Sequence, residues 1–425
     1  MSVTLTEKSL GYVETASEFL KASSLIDRNQ REKALELFKD IGLPTKKNEN
    51  YKYTNLNKVF PEKLDLAKPS QVTSTSVLET PAKYTLVFDN GQWKEELSHL
   101  PKGLSLLPLT ESSQPNKDKP LVSDTMEALN SSMVENKYLL KVEKNSQIPL
   151  VTLLHRIEAD QSQVAMTSLH ISVETGAEAE FFEVIQLEEE RENTSITQTS
   201  FELAANAKAK HTKALLTKSS HIHVGKVKAT LARDAHFTSL TFSVDGKMNR
   251  NNVEVFIEDT GAHASVNGLY TGRSSQHQDC FTTIHHNAAH TTSDQVFKGI
   301  LDDEARGVFT GKIVIHRDAQ QVDSNQLNKN LLLSKKAHVD TRPQIEVYAD
   351  DVKCGHGATV GQINEEEVFY LESRGIPKEK AQKILCHAFA FEAIESCAHD
   401  ELSTWLGNHL FELFEKYALE HLNVQ

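Results

Sequence analysis

Between about residue 148 and Gly361, apolar and polar residues alternate with a period of two, as in short strands with one buried face. A small pair punctuates this region: Gly176-Ala177, Asn206-Ala207, Asp234-Ala235, Gly261-Ala262 and Asn287-Ala288 each precede a new strand-like run. The steps are roughly 26 to 30 residues, an interval expected of solenoid repeats. Glu304-Ala305, Lys336-Ala337 and Gly357-Ala358 continue the series less regularly. One turn of a wide parallel β-helix, with two or three short strands and tight corners, needs about that many residues. A β-sandwich also alternates, but it gives no corner recurring at this interval. Asn325, Asn328 and Asn330 fit the solenoid too, because amides stacked in successive coils bond one another.

On both sides of this region the spacing is helical. Tyr12, Val13, Ala16, Phe19 and Leu20, then Ala34, Leu35 and Phe38, predict an opening of helices stopped at Gly42-Leu43-Pro44. After Gly361 a short helix is predicted over residues 365–373, and Pro377 is well placed to start a second, whose stripe is Ala381, Ile384, Leu385, Ala388, Phe391 and Ile394. A last helix from Asp400 carries Leu402, Trp405, Leu406, Leu410, Phe411, Leu413, Phe414 and Tyr417, more apolar surface than one buried side requires. These helices are expected to cap the open end of the solenoid, with a second apolar face for a partner. The predicted fold is therefore mainly β: a right-handed parallel β-helix over 148–361, an N-terminal helical and mixed unit over 1–147 and a C-terminal helical unit over 362–425.

Within the first unit, Asn90-Gly91 marks a tight turn after the strand-like run 84–89, residues 112–120 read as an exposed loop, and 123–134 as a helix. Residues 43–54 interleave aromatic and polar side chains. A loop docking Tyr51 and Tyr53 on the neighbouring unit is favoured there over a nucleic-acid surface.

Charge supports that choice. The 59 acidic residues outnumber the 46 basic ones, for a net charge of -13, which disfavours nucleic acid as a partner because phosphate binding needs a basic patch. The four cysteines, Cys280, Cys354, Cys386 and Cys397, are too few and scattered for a disulfide framework and suit a reducing compartment. The first residues break any apolar run with Glu and Lys, unlike a signal peptide, and no run approaches a membrane span. A soluble cytoplasmic protein is expected.

The usual enzyme signatures are missing: there is no G-x-x-x-x-G-K-[ST], C-x-x-C, H-E-x-x-H or G-x-S-x-G. Of the 19 histidines, His221, His223, His285, His286 and His290 invite a metal reading, but corner or solvated histidines are commoner. Cys280, Cys386 and Cys397 are expected to fill cores.

The most informative stretch is residues 335–361, KKAHVDTRPQIEVYADDVKCGHGATVG. In a strand, residues two apart share a face, so Cys354 and His356 stand side by side while Gly355 and Gly357 leave the other face bare for a close approach. Thiolate and imidazole both ligate iron and zinc, but a lone Cys-x-His offers two ligands where about four are wanted. The pair makes sense on an exposed face to which a second subunit brings the rest.

The runs DSNQLNKNLLLS at 323–334, RPQIEVYADDVKCGHGATVG at 342–361 and FYLESRGI at 369–376 closely resemble the SufB/SufD family of iron–sulfur cluster assembly proteins, and Cys-x-His-Gly-Ala-Thr is similar to its SufD branch. Relatives often carry serine at the Gly355 position and tryptophan at that of Tyr51. The resemblance covers most of the chain and implies the same three units. It also implies a scaffold subunit, not an enzyme, that pairs with a SufB-like subunit through the β-helix and binds a SufC-like ABC ATPase through its C-terminal helices. Together they would form a SufBCD complex; alone, the chain could form a homodimer. It further implies a transient iron–sulfur cluster at the SufB–SufD interface, with His356 as a proposed ligand and Cys354 in a less settled role. The alternatives are a purely structural partner of SufB and a β-helix carbohydrate-active enzyme, which would need clustered carboxylates along one face.

Overall fold

The computed structural model describes residues 5–22, 27–68, 77–109, 124–157, 163–187, 192–217, 220–395 and 399–422, with side chains of the last helix described as far as residue 415. The loop expected at 112–120, Cys397 and the side chain of Tyr417 lie outside the described residues.

The alternating region forms a solenoid of about seven turns, each contributing one strand to each of two ten-stranded sheets. Successive coils stack in parallel and in register: Lys208 lies beside His236, then His263, Thr292, Asp323 and Lys353 in turn. The chain turns between the sheets through two columns of corners. In the first, Asn145, Gly176, Asn206, Asp234, Gly261, His290 and Gln321 all have positive φ, between 55° and 75°. Glycine takes that conformation freely and Asn and Asp tolerate it, which is why they recur here. The next residue turns into the core, and Ala177, Ala207, Ala235 and Ala262 are fully buried there.

Four of the sequence pairs thus mark this corner and the other four do not, Lys336-Ala337 among them because it leads into His338–Val347 from the second column. Asn287-Ala288 precedes the true corner at His290, which Thr291 follows in place of an alanine. Glu304-Ala305 follows Asp303 in the second column. Gly357-Ala358 lies inside the strand Val352–Gly361 and turns nothing.

Leu169, Ile171, Phe181, Phe201, Val227, Val253, Phe297 and Phe309 fill the space between the sheets. Both outer faces are partly covered as well, so many strands read as near-continuous apolar runs. Helices Glu7–Ala22, Arg28–Ile41 and Thr125–Met133 cover one sheet, packing Tyr12, Phe38, Met126 and Leu129 on Val164, Met166, Ile196 and Val224. The 43–54 segment docks on the same face as expected. Tyr51 is buried, donates its hydroxyl to Asp124 at 2.7 Å and stacks on the buried guanidinium of Arg250, which is paired with Asp279.

Helices Lys378–Glu395 and Asp400–Leu422 lie on the other sheet, with Cys386, Ala390, Leu402, Leu406 and Leu410 against Phe182, Val184, Leu240, Phe242 and Ile300. They cover the flank of the solenoid and not its end, contrary to the expected cap. Their apolar stripe found the outward residues of the middle coils, which are themselves apolar. Lys298 fixes the docking: its side chain is almost fully buried, pairs with Glu392 and donates to the Phe389 carbonyl at 2.9 Å.

The sheets begin before residue 148. Tyr84–Asp89 runs beside the first coil and turns at Asn90-Gly91 into the antiparallel Gln92–His99, while Leu104–Pro108 lies antiparallel to Lys137–Val142. At the far end the outermost strands are His338–Val347 in one sheet and Val352–Gly361 in the other, each paired on a single edge.

Candidate functional site

Cys354 and His356 stand on that last strand. In the coil beneath, Val322–Leu332, the alternate residues Ser324, Gln326, Asn328 and Asn330 are buried and point into the solenoid. Register places Cys354 on Ser324, His356 on Gln326, Ala358 on Asn328 and Val360 on Asn330. The two candidate ligands therefore continue inward-facing columns of the core at a level where no further coil covers them. Their Cα atoms are about 7 Å apart, two steps of a strand.

Exposure follows from this position. His356 is exposed and Cys354 half-buried. Burial against Ile313, Val322 and Ala349 pushes the Cys354 thiol above its ordinary pKa, although contact with the Ser324 backbone works the other way. Gly355 and Gly357 face outward beside Asn325 and Leu327. Val347, Tyr348 and Val360, all more than two-fifths exposed, complete an apolar rim on the same end.

The strand is held by more than its ladder. Asn330 donates to the Asn328 side-chain oxygen at 2.7 Å and to the Thr359 carbonyl at 3.4 Å, and accepts from the buried hydroxyl of Tyr270. Gly299 leaves room for this group, since a Cβ there would collide with both Asn330 and Tyr270. Asn328 and Asn330 are buried, but they bond each other within one strand and reach the neighbouring coils through the Phe297 and Thr359 carbonyls, so they do not make the expected amide-to-amide bonds between coils. Asn325 faces outward and bonds the Asp323 side chain.

The other histidines are otherwise employed. His221 and His223 do share a strand face, and both meet the hydroxyl of Ser195, at 2.9 and 2.8 Å. His285 stacks on Phe256, while His286 bridges Thr291 and Ser293 inside the core. His290 is a corner residue. Cys280 and Cys386 are buried, as expected of core fillers. Among the described residues no three His, Cys, Asp or Glu side chains converge where they could hold a metal ion.

Sequence reasoning missed a charged cluster inside the solenoid. Glu183 pairs with Lys213 at 3.1 Å and His211 at 2.9 Å, accepts from Thr199 at 2.8 Å, and has His155 nearby, all buried. Burial alone would raise the Glu183 pKa, but Lys213 and His211 overcome it and hold the carboxyl well below its usual range. Burial lowers His155 to about 4. A signal was present, since Glu183 and Lys213 are charged residues in the apolar phase of their strands.

The sequence that folds into this two-sheet solenoid with helices on both flanks has counterparts. Residues 155–389 match the SufBD core domain of the SUF system for FeS cluster assembly, and residues 10–151 match the SufBD N-terminal region. The chain belongs to the SufBD family of iron–sulfur cluster assembly proteins. Within it the chain is a homologue of SufD: it is 31% identical over 387 residues to the iron–sulfur cluster assembly protein SufD of Escherichia coli (strain K12), covering 88% of this chain and 90% of that one. It is 25% identical over 394 residues, 86% of each chain, to the SufBD family protein slr0076 of Synechocystis sp.. It is also 30% identical over 213 residues, 48% of this chain and 43% of the other, to the chloroplastic protein ABCI7 of Arabidopsis thaliana. These relatives carry no enzyme name, and a carbohydrate-active β-helix is not favoured. No helix among the described residues is long and apolar enough to cross a membrane.

Proposed function

We propose that this chain is the SufD-type half of a cytoplasmic scaffold on which a transient iron–sulfur cluster is built, and that its half of the site is the open end of the solenoid. The observation that carries this reading is the placement of Cys354 and His356 on the last strand, facing inward with no coil above them. The cluster is cargo, so this chain need supply only part of its ligand set. Two ligands per side suit a partner that stacks its own last coil on this one and brings the remainder. Val347, Tyr348 and Val360 are the apolar contacts for that SufB-like partner, and alone the same surface would pair two copies of this chain.

His356 ligates iron as the neutral imidazole, one ring nitrogen taking the metal. Cys354 must lose its proton to ligate, which its burial opposes by raising the thiol's pKa. The second partner, a SufC-like ABC ATPase, docks on the C-terminal helices. Phe369, Tyr370, Ile384 and Phe411 stand exposed there on three successive helices, and this chain has no phosphate loop of its own. Movement of those helices reaches the site through residues 362–364, which join them directly to the strand bearing His356.

The test is His356→Ala, co-expressed with SufB-like and SufC-like chains. The complex should co-purify unchanged, while cluster absorbance per complex falls about tenfold or more, as for loss of a ligand or its support. Unchanged absorbance removes His356 from the mechanism. A purely structural partner would tolerate replacement of both His356 and Cys354.

A further inference from the structure

A ligating imidazole is normally steered by the hydrogen bond its other ring nitrogen makes, most often to a carbonyl or carboxylate oxygen. His356 has no such partner within its own chain: it is exposed and makes no hydrogen bond among the described residues. Directly beneath it in register lies Gln326, 3% exposed, whose side-chain oxygen also has no partner. A buried, unpaired amide oxygen is costly and asks for an explanation.

The orientation of that amide is fixed from below. Thr282 donates its hydroxyl to the side-chain oxygen of Gln295 at 2.6 Å, and Gln326 donates its Nε2 to the same oxygen at 3.3 Å. Flipping Gln326 alone would set two carbonyl oxygens against each other, so the two amides share one sense, in which the Gln295 Nε2 is also left without a partner. The Nε2 end therefore belongs to the coil below, and Oε1 is the end left for the coil above. Gly311, across the core, makes room, since a Cβ there would collide with the Gln326 amide. In-register residues of adjacent coils lie about 4.8 Å apart, within reach of a side-chain hydrogen bond.

Resting on the reading above, we infer that Gln326 is the positioning residue for His356: its Oε1 accepts the N–H of the imidazole once a partner covers the open end, leaving the second ring nitrogen aimed at iron. Gln326, Gln295 in register beneath it and Thr282 across the core on the facing sheet then act as a brace two coils deep. It selects one tautomer and one ring orientation, and it removes the unpaired buried oxygen at the moment of ligation.

The experiment compares Gln326→Met, which keeps the volume and loses the acceptor, with Gln326→Glu, which keeps an acceptor, in the co-purified complex. Cluster absorbance and the 14N couplings of the ligating imidazole, read by pulsed EPR on the reduced cluster, are measured for each. Gln326→Met should lower cluster yield about tenfold with complex formation intact, and should shift the remote-nitrogen coupling in what cluster remains. Gln326→Glu should stay near the parent in both. Unchanged yield and couplings in Gln326→Met overturn the inference, as do equal losses in both variants with couplings unaltered. If Gln326→Met fails to fold, Thr282→Val removes the brace one coil further from the site, and a yield equal to the parent's is then the overturning result. Should His356→Ala itself leave the yield unchanged, the reading of the site fails first, and that outcome is separate from a failure of Gln326 alone.

Discussion

The two ends of the solenoid are built from the same kind of strand and finished in opposite ways. At the first, the chain doubles back: Gln92–His99 and Leu104–Pro108 run antiparallel to their neighbours, and the Trp93 amide donates across the two sheets to the Tyr138 hydroxyl at 3.0 Å. Leu86, Leu140 and Val142 beneath are fully buried. At the second, no strand reverses, and Val360 is left 49% exposed at a level where every earlier coil buries its inward residues. A reversal stops parallel stacking, whereas an unreversed edge can be extended. The chain closes the first end over itself and leaves the second as an edge paired on one side only.

Acid should break the contrast most completely, because it attacks the shared interior and spares neither end. Burial holds His155 and His286 near 4 and His223 well below its ordinary value, while their unfolded counterparts titrate near 6.5. These folded-state values are depressed, so below about 6.5 the unfolded chain takes up protons that the folded one refuses. Stability should be full above pH 6.5 and fall steadily towards pH 4, seen as a decline in denaturation midpoint. A flat profile over that window would contradict the buried neutral state.

Leu140→Ala should come next. It cuts a cavity under the cap and should cost about 2 to 5 kcal/mol in a denaturant titration. Val360→Ala at the other end should change the stability of the isolated chain by no more than about 0.5 kcal/mol. Its effect should appear instead in weaker association with the SufB-like partner or with a second copy, measured by analytical ultracentrifugation. If Val360→Ala destabilises the lone chain as much as Leu140→Ala does, the ends are not different in kind.

Much of this was legible in advance for physical reasons. A corner that needs positive φ and then a small buried residue writes itself as Gly-Ala, Asn-Ala or Asp-Ala, and four such pairs gave the coil length. His290 at the equivalent corner could not be read, since histidine adopts that conformation without advertising it. The C-terminal stripe predicted helices correctly, but periodicity names a buried face and not what covers it, so their place on the flank was hidden. Cys354 and His356 showed as neighbours through the period of two. That they face inward rather than outward depends on pairing with Ser324 and Gln326, which is a tertiary fact.

That pairing makes the location of the thiol and the imidazole a question of odd and even. Ser324, Gln326, Asn328 and Asn330 set the phase, and Val352–Gly361 inherits it. One residue gained or lost at the start of that strand, ahead of Cys354, would swing both groups to the outer wall and bring Gly355 and Gly357 to the mouth in their place. The fold would scarcely notice, and the proposed ligands would be gone from the mouth.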